Sequence, residues 1–270
     1  MLGAELIGEI TRTNPGHRHA VFWWLGQLGY AIKLAGRSIY IDAFLSPGEN
    51  RLVPPVIEAA QVTNADLIFG THDHDDHIDR KSWPARAAAS PSARFVVPAM
   101  LADGLSAELG IPRSRIVGIE DSRTIDVDGI RITGIAAAHE LLDRDEATGS
   151  YPYMGYLLQA DGLSLYHSGD SCIYDGLAAK VRGFAPDLDA AFLPINGRDG
   201  VRYRTGCIGN MTFQEAVDLA GTLRPGLTVP GHYDMFRNNS EDPAKFTDYL
   251  DAKYPGLRWW VGAHGERVEI

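Results

Sequence analysis

Ile68-Phe69-Gly70-Thr71-His72-Asp73-His74-Asp75-Asp76-His77-Ile78-Asp79 runs from an apolar stretch straight into three histidines and four aspartates. Side chains of this kind, packed together without a counter-charge, repel one another and are costly to strip of water. A cation among them removes both difficulties, and imidazole with carboxylate suits zinc, manganese or iron. Residues 66–70 read as a buried strand, so the cluster falls on a tight loop at a strand end. His72 and His74 point the same way for as long as the strand continues, and Asp76 and His77 then turn towards a neighbouring point. These four ligands cannot close two coordination spheres, so others must come from elsewhere in the chain.

Three positions have the right setting, each polar and each at the end of an apolar run. His139 ends GIRITGIAAAH, Asp170 ends LSLYHSGD, and His232 follows LTVPG. Taken singly, each reads as an ordinary buried histidine or turn aspartate. Taken with the cluster they read as further ligands, because strand ends are where a rigid sheet presents a metal site.

Working outward, strands are expected at Arg18–Trp24, Tyr30–Leu34 and Ser38–Asp42, and at Arg94–Val97 and Arg115–Ile119. Thr124–Val127 and Ile130–Ala137 form a hairpin on Asp128-Gly129, and Tyr156–Ala160 with Leu163–His167 form another on Asp161-Gly162. Ala190–Pro194, Leu227–Val229 and a closing strand at Arg258–Val261 complete the set. Helices are expected at Arg80–Ala89, Ala99–Leu109 and Pro243–Lys253, and one starts at Thr212, where Thr212 and Glu215 make a capping box. Two strand-rich halves, each with helices, predict an α/β fold: a four-layered αββα sandwich occupying 1–270 as one domain. Trp23, Trp24, Trp259 and Trp260 read as core, and His167 as a buried or supporting hydrogen-bonding group.

Composition narrows the function. With 25 Lys+Arg against 35 Asp+Glu the net charge is −10, which disfavours general binding to nucleic acid. The N-terminus lacks the basic region of a secretory signal, and no apolar run reaches the ~20 residues that span a bilayer, so no membrane role is expected. Cys172 and Cys207 read as free thiols in a reducing cytoplasm. Self-association into a homo-oligomer stays open.

The order His-x-His-x-Asp-His, strand-end His, Gly-Asp, Gly-His resembles the metallo-β-lactamase superfamily over most of the chain. Within it, THDHDDHID, SLYHSGDS, PINGRDG, GNMT and HYDMFRNNSEDP are similar to the L-ascorbate-6-phosphate lactonase group. The resemblance implies two divalent metal ions, zinc or manganese with iron as a third choice. One would take His72, His74 and His139; the other would take Asp76, His77 and His232, with Asp170 bridging. It also implies that water activated between the metals opens a small anionic lactone, with Asp76, Asp170 and His232 as the catalytic set.

The substrate end is read from cations and amides near the ligands. NGRDGVRYRTG, expected as a loop, carries Arg198, Arg202 and Arg204; Tyr233, Arg237 and Asn238 follow His232. Arginine forks suit phosphate or carboxylate, though solvated arginines paired to surface acids read equally well. Two other functions fit the same residues. A phosphodiesterase on a small phosphodiester would use the same metals, and a non-catalytic metal-binding protein would keep the fold alone.

Overall fold

Alternation along the first strands sorts side chains onto two faces. In β1 (Val21–Gly26), Val21, Trp23 and Leu25 pack into one buried cluster, while Phe22 and Trp24 pack into another. The same split recurs in β2 (Gly29–Leu34) and β3 (Arg37–Ile41), where Ala31 and Tyr40 face one way and Tyr30, Ile32, Ile39 and Ile41 the other. A sheet buried on both faces must be covered on both.

The computed structural model describes residues 2–270. After β1–β3 the first sheet adds β4 (Leu67–Phe69), β5 (Arg94–Pro98) and β6 (Ile116–Ile119). The second contains β7 (Thr124–Val127), β8 (Ile130–Ala136), β9 (Met154–Ala160), β10 (Leu163–His167), β11 (Ala190–Pro194) and β12 (Leu227–Gly231). The strand β13 (Arg267–Glu269) returns to the first sheet, giving the orders β13-β1-β2-β3-β4-β5-β6 and β12-β11-β10-β9-β8-β7. Helices α1 (Gly3–Arg12), α2 (Trp83–Ala89) and α3 (Ala102–Leu109) cover the outer face of the first sheet, burying Leu6, Ile10, Trp83 and Leu105. On the far side of the second sheet lie α4 (Leu177–Phe184), the short α5 (Gly200–Arg204), α6 (Phe213–Leu223) and α7 (Pro243–Lys253). Val181, Val217, Ala220, Phe246 and Leu250 extend the inter-sheet core beneath them. The four-layered αββα sandwich is therefore the observed architecture.

Strand direction decides where the polar residues go. β3, β4 and β5 run parallel, as do β10, β11 and β12, and β8 points the same way as β10 because both are antiparallel to β9. The carboxyl ends within each set of strands point one way, and open α/β sheets bind ligands at such edges. Two bonds stitch the sheets together there: Met154 N–H donates to the Thr71 carbonyl at 3.0 Å, and the Tyr156 hydroxyl donates to the Gly70 carbonyl at 3.0 Å.

The structure corrects several expectations. Arg258–Val261 is not a strand: only Trp259 bridges to Thr228, and the closing strand is Arg267–Glu269, paired antiparallel with β1. Its polar, half-exposed residues carry no apolar signature, whereas the tryptophan pair mimicked one; Trp259 is in fact 38% exposed. Residues 200–204, expected within a loop, form α5, with Asp199 accepting from the Val201 and Arg202 N–H groups as its N-cap. The expected capping box at Thr212 and Glu215 is present. Among the described residues, no helix is long and apolar enough to cross a membrane.

Candidate metal centre

The 72–79 loop separates its acidic and imidazole groups by direction. The His77 and Ile78 N–H groups both donate to the His74 carbonyl, at 3.0 and 2.8 Å, which coils the chain so that His72, His74, Asp76 and His77 converge. Asp73 turns away to pair with Arg80, and Asp75 is exposed. Asp79 is buried, accepting from the Leu45 and Ser46 N–H groups at 2.8 and 2.9 Å. Gly70 is required at the loop entrance, because a Cβ there would sit 2.5 Å from Ile78 and 3.1 Å from Trp83.

From the second sheet, His139 follows β8, Asp170 follows β10 and His232 follows β12. Cys172 N–H donates to the Ala138 carbonyl at 2.6 Å and Ala138 N–H to the Ser171 hydroxyl at 3.0 Å, holding the His139 and Asp170 loops side by side. Gly169 adopts φ +59°, and a Cβ there would lie 2.4 Å from the Met154 carbonyl oxygen, so only glycine can precede Asp170. His232 itself sits at φ 59°, a conformation that costs a non-glycine residue energy and is pinned by its N–H donating to the Gln27 carbonyl at 2.9 Å.

All seven expected ligands meet. Potential donor atoms of His72, His74 and His139 lie within 4.8 Å of one another, as do those of Asp76, His77 and His232. Asp170 lies between these trios: Oδ1 is 3.4 Å from His77 Nε2, and Oδ2 is 3.0 Å from His232 Nε2 and 3.7 Å from His139 Nε2. His77 Nε2 and Asp170 Oδ1 are buried without a well-directed hydrogen-bond partner. Unsatisfied buried groups of this sort are costly, and two aimed at one point fit a cation there.

The electrostatics agree with that fit. Burial, joined by the neighbouring imidazoles, keeps His72 well below its ordinary pKa, and burial also lowers His74 and His139, so these rings are neutral and ready to donate lone pairs. Burial raises the Asp170 pKa, but His232 and His77 outweigh it and hold the carboxyl well below the usual range. At His77 burial opposes the charged form, yet Asp170, Asp42 and Asp76 together raise its pKa. A proton occupies that ring where a metal would otherwise sit, and metal binding must displace it.

The supporting shell was not legible as such in the sequence. Asp42, fully buried after β3, accepts at 2.7 Å from His77 Nδ1 and at 2.9 and 2.7 Å from the Thr71 N–H and hydroxyl. A carboxylate behind a histidine fixes its tautomer and leaves Nε2 to face the metal. His139 Nδ1 is held by the Gly209 carbonyl at 3.0 Å, and Gln27 Nε2 donates to Asp76 Oδ2 at 3.3 Å. Tyr153 stacks its edge against His139, ring centres 5.3 Å apart. Asp42 did carry a signal, since it ends the apolar run SIYID just as the other ligands end theirs. His167, expected as a buried hydrogen-bonding group, donates from Nε2 to the Leu28 carbonyl at 2.9 Å.

The expected substrate residues are placed differently. Arg198 grips Glu215 with both terminal nitrogens, at 2.7 and 2.8 Å, and also donates to the Asn210 carbonyl. Arg202 donates to the Asn196 and Ser240 carbonyls. Both guanidinium groups hold the wall of the site together. Arg204, Arg237 and Asn238 are exposed, and Tyr233 is buried against Trp24 at 4.9 Å. The cleft over the ligands measures about 190 Å³ and is bordered by Cys207, Ile208 and Asn239.

Comparison with known proteins matches residues 37–233 to the beta-lactamase superfamily domain. The chain belongs to the beta-lactamase superfamily. Relatives within reach of this superfamily member include a UPF0173 metal-dependent hydrolase of Methanopyrus kandleri, 26% identical over 83% of this chain and 88% of that protein. Another, from Thermococcus kodakarensis, is 29% identical over 83% of this chain and 88% of its own. Among solved structures, the metallo hydrolase Igni18 of Ignicoccus hospitalis superposes with a TM-score of 0.67, covering 93% of this superfamily member and 98% of that chain at 21% identity. That likeness shows the shared metallo-β-lactamase fold.

Proposed function

We propose that this superfamily member is a metal-dependent hydrolase that opens the ring of a small anionic lactone. The observation that carries the reading is the convergence of seven ligating side chains with His77 Nε2 and Asp170 Oδ1 left buried and unpartnered between them. His72, His74 and His139 would hold one divalent ion; Asp76, His77 and His232 would hold the other, with Asp170 shared. Nitrogen and oxygen donors suit zinc or manganese, and iron as well. Such ions, when bound, lower the pKa of water from about 15.7 towards roughly 7 and polarise a carbonyl.

The chain's own groups set up the rest. Asp76 is the most exposed carboxylate of the set, 18% accessible, and it borders the cleft where a substrate enters. Held by Gln27, it is placed to orient the attacking water and to take its proton. His139, locked by a backbone carbonyl, and Asp170, buried and ionised, keep their positions as charge develops on the substrate. The lactone reading is supported by the motif resemblance to the ascorbate-6-phosphate lactonase group, and hydrolysis by the relatives' names.

The test is side-by-side turnover of sugar lactones, with and without phosphate, and of bis(p-nitrophenyl) phosphate, by zinc- and manganese-loaded protein. Lactone opening that vanishes on chelation is expected. Turnover of the phosphodiester alone would replace the reading with a phosphodiesterase, and bound metal with no turnover of either would leave a metal-binding protein.

A further inference from the structure

With Arg198 and Arg202 committed to the scaffold, the charged end of a substrate needs another partner. A second depression, of about 380 Å³, shares Asp76 with the metal cleft. Phe44 and Phe236 contribute apolar surface, with ring centres 6.1 Å apart, and the Arg51 guanidinium lies 4.9 Å from the Phe44 ring centre. Arg51 spends Nε on the Val53 carbonyl at 3.0 Å and Nη1 on the Phe44 and Ser46 carbonyls at 2.8 and 3.0 Å. Its Nη2 is buried with no partner. Among the described residues, no carboxylate forms an ion pair with it: Asp79, in the same wall, pairs with Arg86 and accepts from Leu45 and Ser46. Arg80, also in the wall, is paired with Asp73 and Glu108. Lys81 is exposed at the same depression.

A buried guanidinium N–H without an acceptor is costly, and a ligand oxyanion is the acceptor such a fork fits best. Glu49 and Asp75 stand exposed at the rim, which leaves the inner end, at Arg51, as the favourable place for negative charge. The Arg51 segment is also tied to the loop that carries His232, through Leu52 N–H donating to the Met235 carbonyl at 2.8 Å. An anion on Arg51 is thus registered against the candidate metal centre.

We propose that this depression is an anion subsite, where Arg51 Nη2, with Lys81, receives a carboxylate or phosphate while the reacting bond lies beside Asp76. The second half of that statement rests on the hydrolase reading; the first does not.

The experiment uses metal-loaded full-length protein and two probes, inorganic phosphate and gluconate, titrated calorimetrically against native protein, Arg51→Gln, Arg51→Lys and Lys81→Gln at equal metal content. Arg51→Gln should weaken the better probe by about ten- to a hundred-fold, the loss expected when a charged hydrogen bond goes. Arg51→Lys should lose less, and Lys81→Gln about threefold. Which probe depends on Arg51 says whether the subsite reads phosphate or carboxylate. Affinities for both probes that are unchanged by Arg51→Gln, or no binding of either to native protein, overturn the subsite. Should Arg51→Gln unfold, Arg51→Lys and Lys81→Gln decide alone, and no change in either overturns it. On lactones, Arg51→Gln should cut the preference for the anionic over the neutral substrate about tenfold; equal loss on both means a structural role. Arg51-dependent probe binding without any lactone turnover would sink the hydrolase reading and leave the subsite standing.

Discussion

The two sheets build their halves of the candidate centre by opposite means. The first supplies His72, His74, Asp76 and His77 from one loop, while the second supplies His139, Asp170 and His232 from three separate strand ends. A loop of neighbours needs only local turns and one brace to converge. Three strand ends converge only if β8, β10 and β12 keep register across β9 and β11, so their geometry is a property of the whole sheet. Asp170 is where the halves touch, since its oxygens reach His77 on one side and His139 and His232 on the other.

That position gives the largest expected effect. Asp170→Ala should empty most of the metal from both halves and lower turnover on the order of a thousandfold. His74→Ala should remove about half of the metal, because His72 and His139 lose a partner while the Asp76 trio stays whole. Metal analysis of both variants checks this. Equal metal loss in the two would mean that the halves do not act separately.

A smaller effect tests the braces. His77, in the loop half, is braced by a side chain, Asp42, whereas His139 is braced by the Gly209 carbonyl. Only the first can be removed by substitution. Asp42→Asn should weaken metal binding about ten- to a hundred-fold in a competition titration with a chelator, the usual cost of losing such a partner. Native affinity in this variant would show that the loop holds its shape through backbone turns alone.

The same contrast explains what the sequence made legible. The loop half was visible because its ligands are contiguous, and the strand-end half because a polar residue closing an apolar run is a local pattern. Asp42 satisfies that same pattern but lies thirty residues upstream of the cluster, and nothing local distinguishes a brace from a strand terminus. Arg198 and Arg202 looked like substrate clamps because sequence shows charge and not its partner; Glu215 and two backbone carbonyls had already claimed them. Arg51 went unnoticed for the converse reason, its spare nitrogen being a fact of burial. β13 escaped because its three residues are polar and short, so only pairing with β1 defines it.

The mildest prediction concerns how the dispersed half is propped. Glu215 accepts from Arg198 and from the Thr212 N–H at 2.9 Å, joining the start of α6 to the 196–210 segment that carries the Gly209 carbonyl. Arg198, against the opposing effect of burial, holds the Glu215 carboxyl below its ordinary value of 4.5. A depressed native pKa means the stabilisation is complete above the unfolded-state value and is lost as pH falls through the lower native one. Glu215→Gln should therefore lower Tm by about 2–4 °C at neutral pH, taking roughly 1 kcal/mol for the lost cap and pair in a chain of this size. As acid protonates the native carboxylate the difference should close, because a protonated glutamic acid and a glutamine then offer much the same. A Tm gap that stays constant from neutral pH down through the titration would assign the effect to shape and packing, and the dispersed half would not depend on this charge for its support.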